Sequence, residues 1–193
     1  MPITGVITSL QNPRVRAVER LKRKKRDRYR EQQYVVEGYR LVHHALSRGY
    51  RPAFAFYTEA FAGSEQGGEL VRALAAGDAP VWEVTPPVLE ALADTVTPQG
   101  VVAVFPMRHP APEQVRGAEL VLVLDALRMP GNVGTILRTA QATGAGAVIC
   151  APGTVDPGVH PAAQTRKAHA DGDPVAHGAL ADAHGRADGV AHG

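Results

Sequence analysis

The 193-residue chain contains one cysteine, Cys150, so no disulfide framework can hold it together, and aromatic side chains make up only 5% of it. Long apolar runs are missing as well. The stretch Leu120–Leu124 spans five residues, against the about 20 that a membrane-crossing helix needs. The opening MPITGVITSL lacks the charged-then-apolar order of a secretory signal. These absences set the expectation of a soluble cytoplasmic protein of one or two domains. Cys150 lies in an apolar run with no histidine pattern near it and reads as a small core residue, neither nucleophile nor ligand. Charge of one sign is scarce over the whole chain, at net +2, but not locally. Residues 14–30 hold ten Lys/Arg against two Asp/Glu, which leaves the remainder at net −6. A basic patch on an otherwise acidic protein points to a polyanionic partner.

Core-forming residues are scarce from residue 156 onward. The 38 residues to Gly193 include ten Ala, six Gly, five His and five Asp, and their only larger apolar members are Val159, Val175, Leu180 and Val190. Such a segment cannot offset a backbone ordering entropy of about 1–2 kcal/mol per residue, so disorder is expected there. Its histidines, His160, His169, His177, His184 and His192, stand seven to nine residues apart. Compact metal sites use closer pairs held by a fold, and no metal site is expected.

Asn12-Pro13 has the form of a helix cap followed by proline in the first turn, and Val15, Val18 and Leu21 repeat at helical spacing, which predicts a basic helix over residues 12–30. The excess of one charge is larger than pairing along the helix can neutralise. Arg14, Arg16, Arg20, Lys22, Arg23, Lys24, Lys25, Arg26, Arg28 and Arg30, with Arg40 beyond, are therefore candidate contacts to nucleic-acid phosphates. Strands are predicted at 34–38, 54–57, 81–84 and 101–105, with helices at 39–47, 68–76 and 87–93 between them. That alternation gives a small α/β layer structure. His109-Pro110-Ala111-Pro112 reads as a linker. Trp82, Phe54 and Phe56 read as core, and an aromatic near the basic helix is also suited to stack on a base. The adjacent His43 and His44 cannot share one helix face.

After the linker, Leu120–Leu124 has the unbroken apolar pattern of a parallel strand buried on both faces. A loop is expected over 125–134, a helix over 135–143 and a second buried strand over 147–151, which makes one βαβ unit. Ligands of doubly wound sheets bind beyond the C-terminal ends of strands, where residues 125–132 fall. Pro130-Gly131-Asn132-Val133-Gly134 is a strand-to-helix turn able to bring backbone N–H groups to an anion. Spacing alone leaves Asn132 open between helix cap and site residue, and Arg138 open between solvated cation and ligand contact.

The longer string Leu124-Asp125-Ala126-Leu127-Arg128-Met129-Pro130-Gly131-Asn132-Val133-Gly134-Thr135-Ile136-Leu137-Arg138-Thr139-Ala140, continuing through Thr143-Gly144-Ala145, resembles the first motif of the SpoU/TrmH family of RNA 2′-O-ribose methyltransferases. Ile7-Thr8-Ser9, Asn12-Pro13, Tyr34-Val35-Val36-Glu37-Gly38 and Thr97-Pro98-Gln99-Gly100-Val101 resemble the same family's substrate-binding domain, in the expected order. The resemblance implies an α/β chain. A small ribosomal-protein-like RNA-binding domain would occupy residues 1–106, a linker 107–117, part of a trefoil-knotted, Rossmann-like SPOUT methyltransferase domain 118–155, and a tail 156–193. It further implies that Asn132 and Arg138 are catalytic, that S-adenosylmethionine supplies the methyl group, that rRNA or tRNA receives it, and that family members are homodimers. A guanidinium holds its proton, so Arg138 serves as a base only with help from a substrate phosphate, and positioning phosphate and ribose is its simpler role.

Two later motifs of the family, which form the knot and most of the cofactor cleft, are not found in this sequence. Val155-Asp156-Pro157 still resembles the family, and from Gly158 the composition switches, as a frame shift in GC-rich DNA produces. The expectation is a truncated or frameshifted copy, with a non-catalytic RNA-binding module or inactive fragment as the alternative.

Overall fold

The computed structural model describes residues 4–107 and 115–155. The expected tail, and residues 108–114 of the expected linker, lie outside the described residues. The first stretch builds a five-stranded sheet from β1 (Val6–Ile7), β2 (Gln33–Glu37), β3 (Phe54–Tyr57), β4 (Val81–Val84) and β5 (Val101–Pro106), in the order β1-β4-β3-β5-β2. β1, β4 and β3 are parallel, whereas β5 runs antiparallel to β3 and β2. The sheet is therefore mixed, and it is buried on both faces.

Alternation along the strands decides which side chains face which layer. Tyr34, Val36, Ala55, Tyr57, Ala103 and Phe105 meet helices α3 (Tyr39–Ser47) and α5 (Glu65–Ala75) through Val42, Ala45, Leu70 and Leu74. On the other face Phe56, Trp82, Val84, Val102 and Val104 meet α1 (Pro13–Arg23) and α6 (Pro86–Leu92) through Val15, Val18, Leu21, Val88 and Leu92. The three-residue stripe read on α1 is its buried face, and Asn12 caps it, its side chain accepting from the Arg14 N–H at 2.9 Å.

Three elements differ from expectation. The helix predicted over residues 12–30 is two helices, broken at Lys24, whose backbone is extended, with α2 (Lys25–Glu31) following. A continuous helix would stack like charges along the 22–26 run. The break instead lets Arg28 turn back on α1. The helix predicted from residue 68 starts at Glu65, because Ser64 caps it by accepting from the Gly67 N–H at 3.1 Å, and a short helix α4 (Glu59–Ala62) precedes it behind the Thr58 cap. β1 is too short to leave an alternation signal.

The second stretch forms a parallel pair, β6 (Val121–Leu124) and β7 (Ala147–Cys150), in register Val121↔Ala147 to Leu124↔Cys150, joined by α7 (Pro130–Ala142). Val133, Leu137 and Ala140 of α7 pack on Leu124, Ala145 and Val148. Gly144, at φ +77, ends the helix in the left-handed conformation, and the Ala145 N–H reaches back to the Ala140 carbonyl at 2.8 Å. Contrary to the both-faces-buried expectation, Val123 is 63% exposed and Leu120 45%. Among the described residues the α7 side of this two-stranded sheet is packed, and the far side is covered at Ala147 but open at Val123. No described helix is long and apolar enough to cross a membrane.

Candidate functional site

The basic residues singled out in the sequence separate into three groups once their surroundings are seen. Arg28 is buried, at 4% exposure. Its Nη1 donates to the Leu21 carbonyl at 2.7 Å and the Lys22 carbonyl at 3.1 Å, at the C-terminal end of α1. Lys22 is similarly engaged: its Nζ donates to the Ala93 carbonyl at 2.7 Å and lies 3.0 Å from the Asp94 carboxylate. Both are held by partners within the protein, a distinction that reading them as phosphate contacts from charge alone does not make. A buried cation satisfying helix-end carbonyls is a structural device, and like-charge counting cannot detect it.

A second group is exposed but partly occupied. Arg30 lies 3.3 Å from Asp27 and 2.9 Å from Glu31, and these partners hold its proton more firmly than usual, the Glu31 hydrogen bond most of all. Arg16 donates to Gln11, Arg14 covers the Trp82 ring at 4.2 Å, and Lys25 lies over the Tyr29 ring at 5.2 Å. Trp82, read as core with a possible stacking role, is 7% exposed beneath Arg14. The third group, Arg20, Arg23, Lys24, Arg26 and Arg40, is exposed and has no side-chain partner among the described residues. These five are the cations available to a polyanion.

Truncating Arg28 separates the two readings of that residue. Arg28→Ala leaves one buried and one part-buried carbonyl without their donor, at about 1–3 kcal/mol for the buried one and less for the other, so urea unfolding should show a loss of about 2 kcal/mol. An unchanged unfolding midpoint with weakened nucleic-acid binding would restore Arg28 to the interface.

The second candidate site is the loop between β6 and α7. It is tied down from behind: the Thr154 hydroxyl and the Ala151 N–H both donate to the Leu124 carbonyl at 2.8 Å, and the Val155 N–H donates to the Leu127 carbonyl at 2.7 Å. Ala126 is held at φ 51. A left-handed conformation costs a residue with a Cβ about 1–2 kcal/mol, so the three hydrogen bonds fix a strained loop. Helix α7 starts at Pro130, five residues earlier than expected, because proline needs no N–H partner in the first turn. The cap position is Met129, which offers no side-chain hydrogen bond, so Asn132 is not a cap. Its side chain is exposed in the first turn of α7 and has no hydrogen-bond partner among the described residues.

Arg138 is exposed too, and its Nη2 donates to the Thr135 hydroxyl at 2.8 Å, which in turn donates to the Gly131 carbonyl at 3.0 Å. Sequence reasoning missed Thr135, the link that draws the guanidinium toward the start of the helix. Asn132 and Arg138 are six positions apart, roughly 9 Å along the axis and about 120° around it, so the helix alone does not bring them onto one face. A cavity for S-adenosylmethionine needs further walls. The described residues supply one, the loop and the exposed first turn of α7, where a Cβ on Gly131 would meet open space. They do not enclose the cofactor by themselves. Among the described residues no cluster of His, Cys, Asp and Glu is arranged to hold a metal ion.

The chain is similar to known proteins over most of its length. Residues 12–103 match the family model of the MRM3-like substrate binding domain. An uncharacterized tRNA/rRNA methyltransferase of Synechocystis is 38% identical over 155 residues, covering 78% of this chain and 54% of the relative. The 23S rRNA (guanosine(2553)-2′-O)-methyltransferase RlmP of Bacillus subtilis is 32% identical over 151 residues, 78% of this chain and 56% of RlmP. Among solved structures, an AdoMet-bound rRNA methyltransferase of Sinorhizobium meliloti superposes with a TM-score of 0.68 at 30% identity, covering 83% of this chain and 59% of that one. The SpoU methyltransferase AviRb of Streptomyces viridochromogenes, in complex with AdoMet, gives 0.70 at 25% identity over 80% of this chain and 58% of its own.

The fold is the α/β architecture of these SpoU-type neighbours. The chain belongs to the SpoU/TrmH family. It spans between about half and three-fifths of the length of these four proteins.

Proposed function

We propose that these residues form the RNA-binding part and the first catalytic segment of an enzyme that transfers the methyl group of S-adenosylmethionine to a ribose 2′-hydroxyl of rRNA or tRNA. The observation that carries this reading is the extent of the likeness. An alignment of 155 residues is longer than the described stretch 4–107 alone, so it reaches into the β6–α7–β7 unit. In this reading the free cations Arg20, Arg23, Lys24, Arg26 and Arg40 hold the RNA backbone, where charge supplies most of the affinity without regard to sequence. Asn132 and Arg138 work at the ribose, with Arg138 kept cationic and positioned through Thr135 as an electrostatic clamp on phosphate or ribose. S-adenosylmethionine supplies an electrophilic methyl group.

The test joins residues 1–155 to the C-terminal segment of the Bacillus subtilis relative. The hybrid should move label from S-adenosylmethionine to ribosomal RNA, and Arg138→Ala in it should lower the rate by about a hundredfold or more, the usual cost of a misplaced reacting group. A folded hybrid that binds S-adenosylmethionine and RNA but transfers nothing, or transfers equally well with Arg138→Ala, would defeat the reading.

A further inference from the structure

Two segments quoted above for their resemblance, residues 34–38 and 97–101, come together in space. The Gly38 N–H donates to the Val101 carbonyl at 2.9 Å, and the Gln99 Oε1 accepts from the Tyr39 N–H at 3.1 Å. Gly38 stands at φ +91, and a Cβ there would lie 2.8 Å from the Gln99 Oε1, so this close approach requires glycine. Between these segments and the end of α1 is a cleft of about 340 Å³.

The chemistry lining this cleft is one-sided. Its floor is aliphatic, made by the half-buried Val35 and Leu41 with Leu92 fully buried behind them. Its acidic groups are already spent on building the wall. Glu37 accepts from the Asp94 N–H at 2.7 Å with one oxygen and from the Thr95 hydroxyl with the other, while Asp94 pairs with Lys22. Gln99 has used its oxygen on Tyr39 and keeps its amide N–H groups. The Thr97 hydroxyl has no partner among the described residues, and Arg40 stands exposed and unpaired beside the cleft. Lys22 and Arg28 line the cleft as well, but they are engaged by carbonyls and Asp94, so what remains is an apolar floor, the Gln99 amide N–H groups, the Thr97 hydroxyl and the cation of Arg40. The matching ligand is flat, rich in acceptors and anionic. A volume near the lower end of the about 300–1,000 Å³ range for small-molecule sites admits one such unit and excludes a stacked duplex.

We propose that this cleft takes a single unstacked nucleotide of the RNA, its base over the Val35 and Leu41 floor and within reach of Gln99 and Thr97, its phosphate against Arg40. The inference rests on the RNA reading of the first sheet and adds to it a preference for bulged or looped RNA, whose splayed bases can leave the stack. The basic residues alone would bind any RNA strand.

Two short RNA hairpins of otherwise identical sequence, one fully paired and one with a single bulged 2-aminopurine, test this with the full 193-residue chain. The bulged hairpin should bind about tenfold or more tighter, and its 2-aminopurine emission should change on binding. Arg40→Ala, and Gln99→Glu, which keeps the acceptor for the Tyr39 N–H but removes the amide donor, should each bring the ratio of the two affinities close to one. Thermal unfolding of each variant checks that it is folded. Equal affinity for the two hairpins in the unsubstituted chain overturns the inference and leaves the RNA reading standing, as does a ratio that neither substitution moves. Failure to bind either hairpin overturns both.

Discussion

A polypeptide of these 193 residues, incubated with labelled S-adenosylmethionine and total RNA, should transfer no detectable methyl group, although both Asn132 and Arg138 are present. Methyl transfer needs the donor carbon in line with the attacking oxygen at about 3–3.5 Å, and an oriented encounter of that kind contributes about 7–11 kcal/mol, or five to eight powers of ten in rate. The described residues do not supply that orientation. Among the described residues the loop and the first turn of α7 form a single wall, both candidate side chains are exposed, and Val123 is exposed on the face of the β6–β7 pair away from α7. The hybrid with the relative's C-terminal segment adds further walls without changing either residue. The two measurements together thus separate the identity of the reacting residues from the enclosure that makes them effective. Turnover by the 193-residue polypeptide that Arg138→Ala abolishes would show that the described residues suffice.

Periodicity made the layers legible because burial enforces it. The stripe Val15, Val18 and Leu21, the strands at 54–57 and 81–84, and the βαβ order after residue 120 all appear at or near the expected positions. Elements set by local chemistry of one or two residues were not legible in that way. The break at Lys24 depends on Arg28 folding back to carbonyls six and seven positions earlier, and nothing in hydrophobic spacing records such a bond. The early start of α7 was present in the sequence, as Pro130, but the glycines around it favoured a loop reading. Unbroken apolar character in Leu120–Leu124 predicted a strand buried twice over, whereas the described residues cover it on one side.

The candidate sites were legible as residue types and not as partnerships. Charge counting treated all ten basic residues of the 14–30 segment alike, and the structure divides them by whether a partner is already in place. Arg28 and Lys22 are tied to carbonyls and Asp94, while Arg20, Arg23, Lys24 and Arg26 are not. Thr135 carried no signal of its own, because its role exists only once α7 places its hydroxyl between Gly131 and Arg138. Gln99 and Gly38 lie 61 residues apart in the chain and form one contact, so neither motif alone indicates the cleft.

That division of the basic residues fixes the salt dependence of RNA binding. Each phosphate neutralised releases counterions and contributes about 0.7 to 0.9 to the slope of log K against log salt, so the simultaneous replacement of Arg20, Arg23, Lys24 and Arg26 by alanine should flatten the slope by about three units. Affinity at low salt should fall with it by several powers of ten, while the unfolding free energy changes little, since none of the four side chains is partnered among the described residues. Lys22→Ala should do the opposite. Its ammonium is committed to the Ala93 carbonyl and Asp94 at the edge of the 93–99 segment, so its loss lowers stability and leaves the slope where it was. The contrast is diagnostic because Lys22 and Arg23 are adjacent in the chain and have equal charge. A model in which the basic run acts as a diffuse cloud assigns them equal effects. Equal slopes for Lys22→Ala and Arg23→Ala, with equal stabilities, would favour that cloud and remove the structural basis for choosing among the cations.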